Sequence, residues 1–276
     1  MPATYHGIYS KRSDEVGQNA TLSLTAGTAN SAYPVANLVD KNPAKVCKID
    51  STNGTILFTF GAAQRVDLVS LIHTNLSTGA TVKVQAATSS GFGSVAFEAT
   101  FTIPAMLGSG VTRWPVNPWL DLTLDAEYSA TGWQYWRITI TGNAENIQIG
   151  QVWLGSNLRK FDPNVEWGLA DELGTPSGFN RTAYNVAHLR RRASMQWRRT
   201  MALEGAPDTQ RDAMLALVYD VEGNSFPWLV IPDGTVNEAR MVRFAEPKQR
   251  IIYKINNNSR IELPLEELSR GLRPGS

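Results

Sequence analysis

The sequence predicts a mainly β protein in two domains: a β-sandwich of the jelly-roll kind over residues 1–155, then an α+β domain with one helix over residues 156–276. Three observations carry this. Short runs of β-branched and aromatic residues recur through the first half between Gly, Ser and Asn turns, as sandwiches and barrels require. Residues 136–141 and 147–154 alternate apolar and polar side chains on either side of a Gly-Asn-Ala-Glu-Asn turn. That is the pattern of a β-hairpin with one apolar face per strand. Charge density also changes at residue 155. Nine Lys/Arg and ten Asp/Glu precede it and seventeen and fifteen follow, so two folds are joined near the Gly-Ser-Asn and Asp-Pro punctuation of 155–162.

The elements follow in order. Strands are expected at 21–24, 56–60, 66–74, 81–86, 98–103 and 120–124, ahead of the closing hairpin. Asn53-Gly54 starts the second and Gly61 stops it; Pro104 stops the fifth. No long helix is expected in this half. In the second half a strand at 193–201 lies in an arginine-rich segment. A helix follows over 207–223. Pro207 and Asp208 suit its start, Ala213, Met214, Leu217, Val218 and Val221 recur at helical spacing, and Gly223 suits its stop. Strands are expected at 226–231 and 240–246, and 249–256 pairs with 260–265 around Asn257-Asn258.

Composition narrows the function. Hydrophobic residues make up 42% and charged residues 18%, which predicts a packed core rather than disorder. A net charge of +1 supplies no global field for nucleic acid or an anionic membrane. No run of 18 apolar residues is present, so no membrane span is expected, and 1–11 lack the apolar stretch of a signal peptide. The single cysteine, Cys47, cannot form an intramolecular disulfide.

No catalytic constellation is visible. His6, His73 and His188 are scattered, with no metal-ligand spacing, and Cys47 has no histidine near it in sequence. His73 reads as a core or edge histidine and Cys47 as a small buried hydrophobe. The adjacent carboxylates Asp171-Glu172 and Glu266-Glu267 point to opposite faces of a strand, poor geometry for shared acid–base work. No enzyme activity, cofactor or metal is therefore expected. Two clusters remain as candidates for binding. Trp114 and Trp119, in a Pro-rich loop, either stack on sugar rings or plug the end of the sandwich. Arg190, Arg191, Arg192, Arg198 and Arg199 form a subunit interface, a solvated face or a nucleic-acid contact. Fifteen acids beside seventeen bases argue against nucleic acid, and the bidentate guanidinium suits an interface.

Several blocks resemble known families. Tyr33-Pro-Val-Ala-Asn37-Leu-Val-Asp40, Ile56 to Gly61, Tyr135-Trp-Arg-Ile-Thr-Ile140 and Val152-Trp-Leu-Gly155 occur in the order found in discoidin-type, galactose-binding-like jelly rolls. The resemblance covers 30–155 and implies binding of glycans or cell-surface ligands through loops at one end. It also implies a calcium ion, but Gln151 stands where that family carries a carboxylate. Asp40 alone offers a hard cation too few oxygens, so no metal is expected. The segment Arg190 to Arg199, the helix, Gly223 to Pro232 and the last hairpin resemble the ring-forming domains of tailed-phage tail-tube and distal-tail proteins. That implies a structural virion protein of a tail tip or baseplate, assembled in the host bacterial cytoplasm. It would form a ring, expected to be a hexamer, in contact with tube, hub and fibre proteins. The alternative is an adsorption protein that binds host-surface glycan through the jelly roll.

Overall fold

The computed structural model describes residues 6–10, 16–40, 45–103, 117–156, 159–161, 166–174, 177–181, 187–191, 196–206, 208–222, 228–231, 239–245, 250–254 and 258–267. The chain is mainly β. Its first strand, β1 (His6–Ser10), is followed by nine that build a sandwich: β2 (Thr21–Ala26), β3 (Cys47–Ile49), β4 (Gly54–Gln64), β5 (Leu68–Thr74), β6 (Thr81–Ala87), β7 (Phe97–Thr102), β8 (Trp119–Asp121), β9 (Trp133–Thr141) and β10 (Ile147–Gly155). One sheet has the order β2-β4-β9-β6-β7 and the other β3-β10-β5-β8, all antiparallel. Ile56, Phe58 and Phe60 of β4, Trp136, Ile138 and Ile140 of β9, and Val82 and Val84 of β6 face Val69 and Leu71 of β5 and Val152 and Leu154 of β10 across one core. Alternation puts every second residue of a strand on one face, which is why these positions are apolar.

Two expectations change here. The stretch 136–154 is not a hairpin. β9 belongs to one sheet and β10 to the other, so the connection 142–146 crosses the core's end. Its polar groups are satisfied by neighbouring loops. Asn143 Oδ1 accepts from Ser77 N at 2.7 Å and Ser77 Oγ at 3.1 Å, and Gly142 N donates to Asn53 Oδ1 at 2.9 Å. Gly61 does not end its strand either: β4 runs on to Gln64, with a register shift against β9 between Thr59 and Gln64. Gly132, opposite that irregularity, has φ +74, and a Cβ there would lie 2.0 Å from Gln64 O.

Outside the sandwich lies a second β unit, a single sheet of eight strands (the second sheet), which is built from both ends of the chain. Its members after the sandwich are β11 (Arg159–Phe161), β12 (Glu166–Gly174), β15 (Gln196–Ala206), β16 (Trp228–Ile231), β17 (Arg240–Phe244), β18 (Arg250–Lys254) and β19 (Asn258–Glu267). Between β12 and β15 the chain forms a separate hairpin, β13 (Ser177–Arg181) with β14 (Ala187–Arg191). The order is β11-β1-β16-β17-β19-β15-β12, with β18 on β19. β1 therefore lies between β11 and β16, with His6 opposite Phe161 and Ile8 opposite Arg159. The sandwich is inserted between two neighbouring strands of the second sheet, and the residue-155 boundary describes only the sandwich's exit. Helix α1 (Asp208–Asp220) packs on β19 and β1, with Met214, Leu217 and the following Val221 buried. The expected strands at 226–231 and 240–246 correspond to β16 and β17, and the last hairpin is β18–β19.

The sandwich and the eight-stranded sheet share a second core. Leu68 and Ile72 of β5, Trp119 of β8 and Trp153 of β10 point away from the sandwich interior and pack with Leu229, Ala239 and Met241. Ala239 N donates to Asn117 O at 2.8 Å. All seven residues of β5 are buried, because one face lines the sandwich and the other meets the second sheet. A strand covered on both sides reads as a continuous apolar run.

Candidate functional site

At the end of the sandwich farthest from the chain's entry and exit, three loops converge on a groove of about 540 Å³ lined by Asn30, Tyr33, Lys48, Asp50, Asn75, Glu145, Asn146, Ile147 and Gln148. β10 starts at this groove and ends at the junction, so its nine residues separate the two by about 26 Å.

The scaffold of the groove is hydrogen-bonded. β3 and β10 pair with Lys48 opposite Gln148, while Cys47, Ile49, Ile147 and Ile149 turn into the core. Alternation therefore puts Lys48, Asp50 and Gln148 on the outer side. Asn30 Oδ1 accepts from Ala32 N at 3.0 Å, and its Nδ2 donates to both oxygens of Asp50 at 3.2 and 3.0 Å. Lys48 N donates to Tyr33 O at 3.1 Å, and the Lys48 ammonium stands 4.3 Å from the Tyr33 ring centroid. Tyr33 is 38% exposed. Asn75 Oδ1 accepts from Gln148 N at 2.7 Å and its Nδ2 donates to Asn146 O at 2.8 Å, so this amide locks β10 to the end of β5. Most of this site escaped sequence reasoning. Tyr33 was visible within the opening motif, but its partners are ordinary turn and strand-end residues spread over more than a hundred positions.

The sequence-derived candidates lie elsewhere. Trp119 is 3% exposed within the shared core, so it has no ring face to offer a sugar; its burial against the second sheet is the correction to the platform reading. Trp114 lies outside the described residues. Arg190 and Arg191 end β14, opposite Gly178 and Ser177, Arg192 lies outside the described residues, and Arg198 and Arg199 are the third and fourth residues of β15. In the register of the second sheet Arg198 stands opposite both Glu172 and Glu266, and Arg199 opposite Asp171. Arg243 is likewise opposite Glu266 and reaches its Oε2 at 3.2 Å. Glu172, Arg198, Glu266 and Arg243 thus stand at successive register positions of alternating charge across four strands, and of these Arg243 and Glu266 form an ion pair.

Gln151 is buried. Its Nε2 donates to Asp40 O at 2.9 Å and its Oε1 accepts from Trp153 Nε1 at 3.3 Å, while the Asp40 carboxylate pairs with Lys45 Nζ at 2.6 Å. The amide thus ties the opening loop to β10. Among the described residues no group of three or more His, Cys, Asp or Glu could hold a metal ion. His73 is 3% exposed with φ 54, and its N–H donates to Asn117 Oδ1 at 2.7 Å. Gly150 makes room for it, since a Cβ there would come 2.9 Å from His73 Cβ. Burial pushes the Cys47 thiol up to about 11, which keeps it protonated and inert. His6 and His188 are placed in β1 and β14, on different sheets.

No family model matches the chain, and no curated protein sequence matches it. Solved structures similar to it include chitosan-binding module 1 from a chitosanase/glucanase of Paenibacillus sp. IK-5, with TM-score 0.37 and 14% identity over 52% of this chain and 98% of that one. Another is the family 32 CBM from C. perfringens NanJ in complex with galactose, with TM-score 0.37 and 12% identity over 52% and 98%. A mutant lectin binding domain of Lectinolysin complexed with Lewis b has TM-score 0.38 and 11% identity over 52% and 97%. At these scores the likenesses bear no weight for function, and the sandwich stands on its own strand pairing.

Proposed function

We propose that the chain is a glycan-binding protein whose groove at the far end of the sandwich holds a sugar. One observation carries this reading: an exposed Tyr33 ring, an ammonium, two carboxylates and several amides line one groove and are buttressed by strands and side-chain hydrogen bonds. Such a lining suits a ligand that is apolar on its ring faces and rich in hydroxyls on its edge. Asp50, held by Asn30 on both oxygens, is a fixed acceptor, which favours binding over turnover. Immobilised glycans of bacterial surface types, titrated with this protein, test the reading. Tyr33→Ala should weaken binding about tenfold or more, equivalent to about 1.4 kcal/mol. Absence of sugar binding by the unaltered protein, or unchanged affinity in Tyr33→Ala, would sink it.

A second reading rests on the β13–β14 hairpin, which carries Arg190 and Arg191 and follows β12, the last strand in the order of its sheet. A strand at the end of a sheet is a natural template for contact with another copy. On this reading the chain is a structural protein of a phage tail tip or baseplate, ring-forming and seated in the virion tail. Size measurement in solution separates the two. A ring lost in Arg191→Glu supports the second, and a monomer at every concentration removes it.

A further inference from the structure

We infer that the groove selects sugars bearing a protonated amine over uronic acids, with Glu145 as the residue that sets the preference; this rests on the glycan-binding reading above. The ionisable side chains of the lining, Tyr33 aside, are Lys48, Asp50 and Glu145, two carboxylates against one ammonium. Their environments differ. The Lys48 ammonium is already placed against the Tyr33 ring. Asp50 receives two contacts from a neutral amide, which orient its carboxylate without cancelling its charge. Glu145 is exposed, and among the described residues no ion pair joins it to Lys48 or to any other cation.

Its position is nonetheless defined. Asn143 Nδ2 donates to Glu145 O at 2.7 Å, and Asn143 is itself held by Ser77. The remaining polar lining, Asn30, Asn75, Asn146 and Gln148, is neutral, so the groove carries one excess negative charge. A cationic amino sugar gains attraction there that its N-acetylated form cannot. A uronate meets repulsion from two carboxylates and attraction from a single ammonium, which already stands over an aromatic ring. An exposed pair contributes up to about 1 kcal/mol, so the discrimination should be roughly two- to fivefold and should shrink with salt.

The experiment compares a glucosamine tetrasaccharide, its fully N-acetylated form and a galacturonic acid tetrasaccharide by calorimetry, at a pH where the sugar amine is protonated. The expected order is amine, then N-acetyl, then uronate. Glu145→Gln should bring the ratio of amine to N-acetyl affinity down to about one, whatever its effect on binding as a whole. The side chain of Glu145 carries no packing, so the variant should fold. Equal affinity for all three, tightest binding of the uronate, or an amine preference that survives Glu145→Gln overturns the inference and leaves the groove as a sugar site. Failure of all three to bind, with no response to Tyr33→Ala on any glycan, overturns the underlying reading as well.

Discussion

Asp67 sits where the sandwich joins the second sheet. Only 1% exposed, it receives Arg65 Nε at 2.6 Å and Arg65 NH2 at 2.9 Å on its two oxygens, and the Tyr128 hydroxyl donates to Oδ1. Its N–H donates to Gly155 O and its C=O accepts from Leu122 N. A buried carboxylate requires this many partners, because removing one leaves an uncompensated charge. Burial, followed by the hydrogen bond to Asp67 and its charge, pushes Tyr128 up to about 12. The unfolded tyrosine titrates near 10, so folding favours the protonated phenol. That contribution is complete below about pH 10 and is lost as pH rises through about 12. Tyr128→Phe should therefore flatten the fall in urea midpoint across that window; parallel profiles for the two proteins would contradict it. None of this cluster was readable beforehand, since Asp67 and Tyr128 are distant in sequence and meet only because β5 and the turn after β8 pack together.

Among elements, the connection between β9 and β10 is the most informative. Alternation is the same whether two adjacent strands pair in one sheet or face each other across a core, so periodicity cannot tell a hairpin from a crossing. The decision lies in the turn's hydrogen bonds. Asn143 is 5% exposed and accepts twice from Ser77 while donating once to Glu145. Replacing it by alanine leaves buried groups unpaired, and Asn143→Ala should cost on the order of 2–3 kcal/mol in denaturant unfolding. A loss under half of that would mean the crossing is held by its strands alone. Helix α1 was legible to within a turn, because its apolar spacing and flanking residues are local signals. The arginines were legible as a cluster but not in their register, because Glu172 and Glu266 come to stand opposite Arg198 only through the pairing of β12 and β19 with β15.

At the scale of the whole molecule, insertion of the sandwich couples the chain's beginning to its second half. β1 pairs with both β11 and β16, so residues 6–10 contribute two ladders to a sheet otherwise built after residue 158. Deleting residues 1–10 should destabilise the second sheet while leaving the sandwich core intact, visible as a second, earlier unfolding transition. Unchanged hydrogen-exchange protection in β16 after that deletion would rule out this role. The shared core around Trp119 and Trp153 adds apolar burial between the units, so the groove is carried on a body continuous with the second sheet.

The sequence by itself determined where most strands and the helix lie, and which face of the sandwich strands is apolar. These are short-range properties, set by alternation, helical spacing and turn residues. Only the tertiary structure decided which sheet each strand joins, that β1 belongs with β11 and β16, that Trp119 is covered, and that Asn30, Tyr33, Lys48, Asp50 and Glu145 line one groove. Those outcomes depend on backbone hydrogen bonds and covered faces contributed by segments remote in the chain, for which a local pattern holds no record.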